Sequence, residues 1–277
     1  MIVLSHFQAN QLIKARGKKS EIELSLDLER TKVKVQIGEC VNLTDSESVT
    51  WKIVEDIAKK ENACFAIENG EAGSIQTYSE AFGRVYTLYP TESAPTMLVS
   101  GIPMHRIKDT DPWQDTLNKM KAFGHTGGHI LDTTTGLGYT AIMAAKNSAN
   151  VISVEIDPAA REIARRNPWS QDLFGNPRIE LRIGDSSDLI YEFDENSLNG
   201  IIHDPPMFNL AGELYSLSFY EQAHRVLKTN GRMFQYIGNP NSTSGKRVTR
   251  GVIQRLKNAG FRKVMKKPMA FGVLAYA

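Results

Sequence analysis

Residues 129–141, HILDTTTGLGYTA, decide how the rest of the chain is read. A short apolar run ends in Asp132, a Thr-rich turn brings Gly136 and Gly138, and YTAIMAAK (139–146) continues at helical spacing. A strand running through a glycine turn into a helix is the entry to a parallel β-α-β unit. Glycines suit such a turn because it is tight and a ligand approaches its backbone closely. The alternation recurs downstream. VISVE (151–155) leads into DPAAREIARRN, with Pro158 in the first helical turn. RIELRI (178–183), LNGIIHD (198–204) and RMFQYIG (232–238) are three more strands, separated by SSDLIYEF and LYSLSFYEQAHRVL. A helix around Val248–Asn258 and two strands within 262–277 follow and predict a hairpin closing the sheet. Strands alternating with helices predict a doubly wound α/β sheet with helices on both faces.

Upstream the texture differs. EIELSLDLERTKVKVQIGECVN (21–42) alternates apolar and polar residues around Glu29-Arg30-Thr31, the period-two pattern of a hairpin with one wet face. A helix from about Ser46 to Lys60 is expected next, then short strands in ACFAI, SIQTY, RVYTLY and TMLVS. In DPWQDTLNKMKAF, Asp111 suits an N-cap and Pro112 the first helical position. The boundary is therefore drawn near residue 110, with a strand-rich module over 1–110 and the α/β domain over 111–277.

Composition narrows the function. With 41% hydrophobic and 23% charged residues in 277, the chain has the apolar content of a folded protein. No stretch approaches the ~18 apolar residues of a membrane span, and the first residues are too polar for a secretory signal. Cys40 and Cys64 form no C-x-x-C pattern and read as thiols of a reducing cytoplasm, with no metal site. The net charge of +2 hides an asymmetry. From Gln222 onward there are 12 Lys/Arg and no Asp/Glu, whereas residues 1–221 hold 21 bases against 31 acids. Such a basic block suits a polyanionic partner, nucleic acid among them, or else reflects Lys/Arg gathered on exposed helix faces.

Gly136 to Ala141 also fits the relaxed dinucleotide fingerprint G-x-G-x-x-A. Asp132 separates the cofactors, since a carboxylate at the strand end repels a pyrophosphate and attracts an ammonium group. The stretch resembles the D-x-G-x-G-x-G loop of class I methyltransferases. Asp132, Gly136 and Gly138 stand at matching positions and Thr134 replaces the first glycine. That resemblance implies S-adenosylmethionine as cofactor, with Glu155 at the ribose hydroxyls, Ile156 against the adenine and Asp185 at its exocyclic amine. Glu155 otherwise reads as a capping or solvated acid, and Asp185 as the N-cap of the helix after it.

The fourth strand ends in IIHDPPMFN (201–209), whose paired prolines fix a stiff loop at the edge where ligands collect in such sheets. His203-Asp204-Pro205-Pro206-Met207-Phe208 resembles the [ND]-P-P-[YFW] motif of amino-methyltransferases. The resemblance implies that Asp204 and the Pro205 carbonyl hold a target amine, with Met207 or Phe208 against the substrate. His203 is either a base or a hydrogen-bonded strand-end residue. Arg106, in MHR (104–106), is a candidate clamp for an anionic group. APTMLVSGIPMHRIKDTDPW, LDTTTGLGYTAI and HDPPMFNLAGELYSLSFYEQAHRVLKTNGRMFQYIGNP together resemble a family of predicted methyltransferases found mainly in archaea. The fold implied is a Rossmann-like seven-stranded methyltransferase sheet with a smaller strand-rich N-terminal module. The implied activity is methyl transfer to a nitrogen of an acceptor that RNA or another nucleic acid would suit. A second resemblance, to the entry of the aminopropyltransferase (spermidine synthase) fold, implies decarboxylated S-adenosylmethionine and a polyamine instead. A third reading is a non-catalytic nucleic-acid-binding protein on a methyltransferase shell.

Overall fold

The computed structural model describes residues 1–125, 127–147, 149–206 and 212–277, the side chain of Ser244 apart. The chain divides into two compact units, Met1–Trp113 with Ala159–Gln171, and Gln114–Pro158 with Asp172–Ala277.

Residues 1–113 of the first unit hold small antiparallel sheets and the helices His6–Ala15 and Trp51–Ala58. Glu21–Leu24 pairs with Val33–Ile37 in the register Glu21↔Gln36 to Leu24↔Val33. The reversal between them runs through Leu28 and Glu29, both at positive φ, so the turn begins one residue earlier than the Glu-Arg-Thr reading. The helix expected over 46–60 forms only at Trp51–Ala58, where the Thr50 hydroxyl accepts from the Ile53 amide, while Ser48–Val49 pairs as a strand. A helix at His6–Ala15 was not anticipated. Its signal was present in Ser5 and Gln8, which form a reciprocal capping box. Leu4, Leu12, Leu24, Val35, Val54 and Ile57 are at most 1% exposed and form this unit's core. No helix of the described residues is long and apolar enough to cross a membrane.

The second unit is built on one seven-stranded sheet. Its strands are β1 (Gly128–Asp132), β2 (Ala149–Glu155), β3 (Ile179–Ile183), β4 (Leu198–His203), β5 (Leu227–Tyr236), β6 (Lys263–Lys267) and β7 (Gly272–Tyr276). The helices that follow along the chain are α1 (Pro112–Phe123), α2 (Tyr139–Lys146), α3 (Pro158–Arg165), α4 (Ser186–Leu189), α5 (Leu217–Val226) and α6 (Thr243–Asn258), of which α3 falls in the first unit. The strand order is β3-β2-β1-β4-β5-β7-β6, with all strands parallel except β7, which runs antiparallel between β5 and β6. The expected closing hairpin is thus present, and its second strand is the one that joins the sheet.

Ile130, Leu131, Val151, Val154, Ile201, Ile202 and Phe234 are at most 1% exposed, as strands covered on both faces require. In a sheet of this kind the chain turns outward in opposite directions after β1 and β4, opening a crevice at their carboxyl ends. The register brings Asp132 level with Ser153 and Ile202, Glu155 level with Ile183, and His203 level with Gln235 along that edge. One glycine sets the height of α1 over the sheet. A Cβ at Gly200 would lie 2.5 Å from the Phe123 ring, so the bare backbone of β4 lets α1 settle. Gly200→Ala is expected to lower stability by about 1–3 kcal/mol through overpacking, read as a shift in the urea midpoint. An unshifted midpoint would show that α1 does not depend on this contact.

Candidate active site

The glycine turn after β1 is built as its residues demand. Gly136 and Gly138 have φ of 52° and 76°, the left-handed region that glycine enters freely. A Cβ on Gly138 would also stand 2.5 Å from Leu173, whereas one on Gly136 would point into open space. Thr134, the position where the glycine motif departs, is not among the left-handed residues and needs no glycine. Its hydroxyl instead donates to the Asp204 carbonyl at 2.8 Å.

Asp132 is fully buried beneath this turn. Its Oδ2 accepts from the hydroxyls of Ser153 (2.9 Å) and Thr140 (3.3 Å), while its Oδ1 is buried with no donor among the described residues. Burial pushes its carboxyl up to about 7, only partly opposed by the Ser153 bond. Glu155 turns back under the loop, its Oε2 accepting from the Gly136 amide at 2.9 Å and its Oε1 from the Asp157 amide at 3.1 Å. Burial raises its carboxyl above the usual range, and the two amides counter that rise. Ile156 beside it is 42% exposed, an apolar surface at the crevice edge. Asp185 caps α4, its Oδ1 accepting from the Ser187 amide and hydroxyl, each at 2.7 Å.

At the end of β4, His203 is not arranged as a base. Its Nε2 lies 2.8 Å from the Leu214 carbonyl, which can only accept, so that nitrogen carries the hydrogen. Its Nδ1 then accepts from the Thr133 hydroxyl at 2.7 Å. The ring is fully buried, stacks on Phe219 at 4.7 Å, and is driven by burial down to about 3, so it stays neutral with both nitrogens occupied. Of the two roles open to His203, this geometry suits the hydrogen-bonded strand-end residue that braces the corner.

Asp204 meets a partner that the sequence did not announce. Lys119 of α1 reaches its Oδ2 at 2.5 Å and the Oδ2 of Asp115 at 2.9 Å. The lysine is 2% exposed and its Nζ sits 4.6 Å from the Tyr236 ring centroid. Burial alone would favour a neutral amine, but the carboxylates of Asp204 and Asp115 outweigh it and hold Lys119 above the ordinary lysine range. Asp204 keeps 17% exposure of its side chain; burial raises its carboxyl, and Lys119 opposes that rise. The only trace in the sequence is an acid and a base four residues apart, a spacing usually found on solvated helix faces.

The carbonyls along this corner are unequally used. That of Asp204 is taken by Thr134, and that of Pro206 accepts from the Tyr215 hydroxyl at 3.1 Å. Among the described residues no donor reaches the Pro205 carbonyl between them, nor the second carboxylate oxygen of Asp204. Met207 and Phe208 lie outside the described residues. Arg106 belongs to the N-terminal unit and is half-buried.

Residues 115–259 match the family described as the methyltransferase small domain. An uncharacterized protein of Methanocaldococcus jannaschii is 41% identical over 266 residues, covering 92% of this chain and 89% of that one. The polyamine aminopropyltransferase of Mycobacterium tuberculosis is 28% identical over 141 residues, which span 48% of this chain and 26% of that protein. The spermidine synthase from Thermotoga maritima aligns with a TM-score of 0.57 at 17% identity, over 73% of this chain and 71% of that one, a likeness of fold.

Removing the lysine tests the corner's electrostatics. Lys119→Met leaves two neighbouring buried carboxylates without a counter-charge and is expected to cost about 3–5 kcal/mol at neutral pH. Carboxyls whose folded-state pKa is raised lose stability as pH rises, so the deficit should shrink toward about pH 4. Chemical denaturation across pH reads both, and a deficit independent of pH would mean the loss is one of packing.

Proposed function

We propose, for a chain that belongs to the methyltransferase small-domain family, that it transfers a methyl group from S-adenosylmethionine to a nitrogen held by Asp204 and Pro205. The observation that carries this reading is the pattern of used and unused acceptors at residues 204–206. Thr134 and Tyr215 close the outer carbonyls, Lys119 closes one carboxylate oxygen, and the two remaining acceptors are neighbours in the chain. Two adjacent acceptors suit the two hydrogens of an amine or amide nitrogen. Gripping both hydrogens turns the lone pair away from the corner.

The residues at the ends of β1, β2 and β3 fit the donor. Asp132 with its unpartnered buried oxygen and Glu155 beside it suit a ligand that carries ammonium and sulfonium charge and no phosphate. Open space over Gly136 leaves room for close approach. Glu155 retains lone pairs for ribose hydroxyls, Ile156 offers its exposed face to the adenine, and Asp185 keeps its second oxygen for the adenine amine. When bound, the donor supplies a methyl carbon already made electrophilic by its sulfonium. The protein's work is then alignment, worth several kcal/mol when reacting atoms are held in line. Asp204 steadies the positive charge that grows on the nitrogen, and Lys119 fixes the orientation of its carboxylate. His203, neutral throughout, holds the strand end in position.

A second reading, aminopropyl transfer from the decarboxylated donor to a polyamine, draws support from the 28% identity to the mycobacterial enzyme and from the shared fold. Tritiated-methyl transfer into fractionated cell extract, run beside the decarboxylated donor with a diamine, separates the two. Asp204→Ala leaves Lys119 paired with Asp115, so the fold should persist. Methyl transfer should fall by roughly 100-fold or more while donor affinity changes little. Equal loss of both would make the corner structural. Donor binding should also depend on pH through Asp132. A cationic ligand favours its ionised form, so affinity should rise by up to about tenfold per pH unit below the value near 7 and level off above it. Calorimetry at several pH values reads this slope, and Asp132→Asn should flatten it.

A further inference from the structure

The stretch after Glu221 carries a surface chemistry of its own. It contains 12 Lys/Arg and no Asp/Glu, and it builds β5, α6, β6 and β7. Along α6, Val252 and Leu256 are buried against the sheet, as is Ala259 at its C-cap. On the outer side Lys246, Arg250, Gln254 and Lys257 recur at intervals of four, four and three, all exposed, with Arg247 exposed beside them. Lys263 and Lys266 are exposed on the edge strand β6.

Among the described residues, none of Lys246, Arg247, Arg250, Lys257, Lys263 and Lys266 pairs with a carboxylate. In the N-terminal unit, by contrast, Arg16, Lys34 and Lys52 meet Glu55, Glu21 and Asp56. Lys246 and Arg247 also lie close to the start of α6, where the helix macrodipole disfavours cations. The topology brings α6's beginning and β6's end to the carboxyl edge of the sheet, the edge that bears Asp204.

We propose that this face binds the phosphodiester backbone of a nucleic acid. The charges form a line along α6, about 16 Å from Lys246 to Lys257 at the helical rise, and do not converge on a point. A line of cations matches an extended polyanion better than a single phosphate group. Among the described residues, none of the large exposed apolar side chains lies on α6, which disfavours a lipid surface, where apolar anchoring accompanies charge. Binding here goes beyond methyl transfer and is read without donor or turnover, so its failure leaves the methyl-transfer reading intact.

The test is fluorescence anisotropy of the full chain with labelled single-stranded RNA and DNA of one sequence, over a series of salt concentrations. Engagement of four to six phosphates predicts a log–log salt slope of about −3 to −4. The combined variant Lys246→Glu, Arg250→Glu, Lys257→Glu should lose affinity by more than about tenfold and flatten that slope. The combined variant Lys14→Glu, Lys18→Glu, Lys19→Glu in the N-terminal unit should bind as the parent does. Should the first variant fail to fold by circular dichroism, Arg247→Gln with Lys266→Gln provides the same comparison with milder changes. Tighter binding of RNA or of DNA assigns the source, and equal binding assigns recognition to the backbone alone. No binding at low salt, equal losses in both variants, or affinity unchanged when the α6 charges are reversed would overturn the proposal.

Discussion

A lysine with almost no access to water, held between two carboxylates, is the constraint on which the corner at the end of β4 depends. Ion pairs in such a place gain little net stability, because desolvation offsets most of their attraction, but they fix geometry firmly. Lys119 takes one oxygen of Asp204 and, through Asp115, is itself prevented from turning away. The aromatic face of Tyr236 closes another side. Among the described residues, what remains of the Asp204 carboxylate is one oxygen with no donor, its orientation set by the lysine on the other. The helix that brings the lysine there rests in turn on Phe123 against the bare backbone of Gly200, so a packing contact and an electrostatic one share the same support.

The two sides of this edge hold their acids differently. At the ends of β1 and β2, Asp132 and Glu155 are held by hydroxyls and amides, with no cation paired to either among the described residues, which leaves a field attractive to positive charge. At the β4 corner two acids share one buried lysine, and the remaining polarity is that of oriented acceptors. Such a division suits a charged donor on one side and a neutral nitrogen on the other.

Much of this architecture was legible in the residues. The β-α alternation from Gly128 onward, the glycine turn and the double proline each carry a local signature, and the sheet order agrees with what they imply. The chain also belongs to the family that the resemblance suggested. What the residues do not signal plainly is either short or non-local. The His6–Ala15 helix was hidden in a polar opening although its capping box was written out. Lys119 and Asp204 are 85 residues apart, and nothing in an i,i+4 acid–base pair distinguishes a buried helix face from a wet one. His203 was ambiguous for a similar reason: its standing as a base or a brace turned on Thr133 and Leu214, which only the folded chain brings to its two nitrogens.

Thr134 occupies a place where a glycine would serve the turn alone, and its hydroxyl reaches across to the Asp204 carbonyl. One residue earlier, Thr133 reaches the imidazole at the same strand end. These two rungs stitch the turn after β1 to the corner at the end of β4, so neither can drift without dragging the other. The spacing between turn and corner is therefore cast into the scaffold itself, and a threonine-to-glycine exchange in evolution would trade that stiffness for play between them.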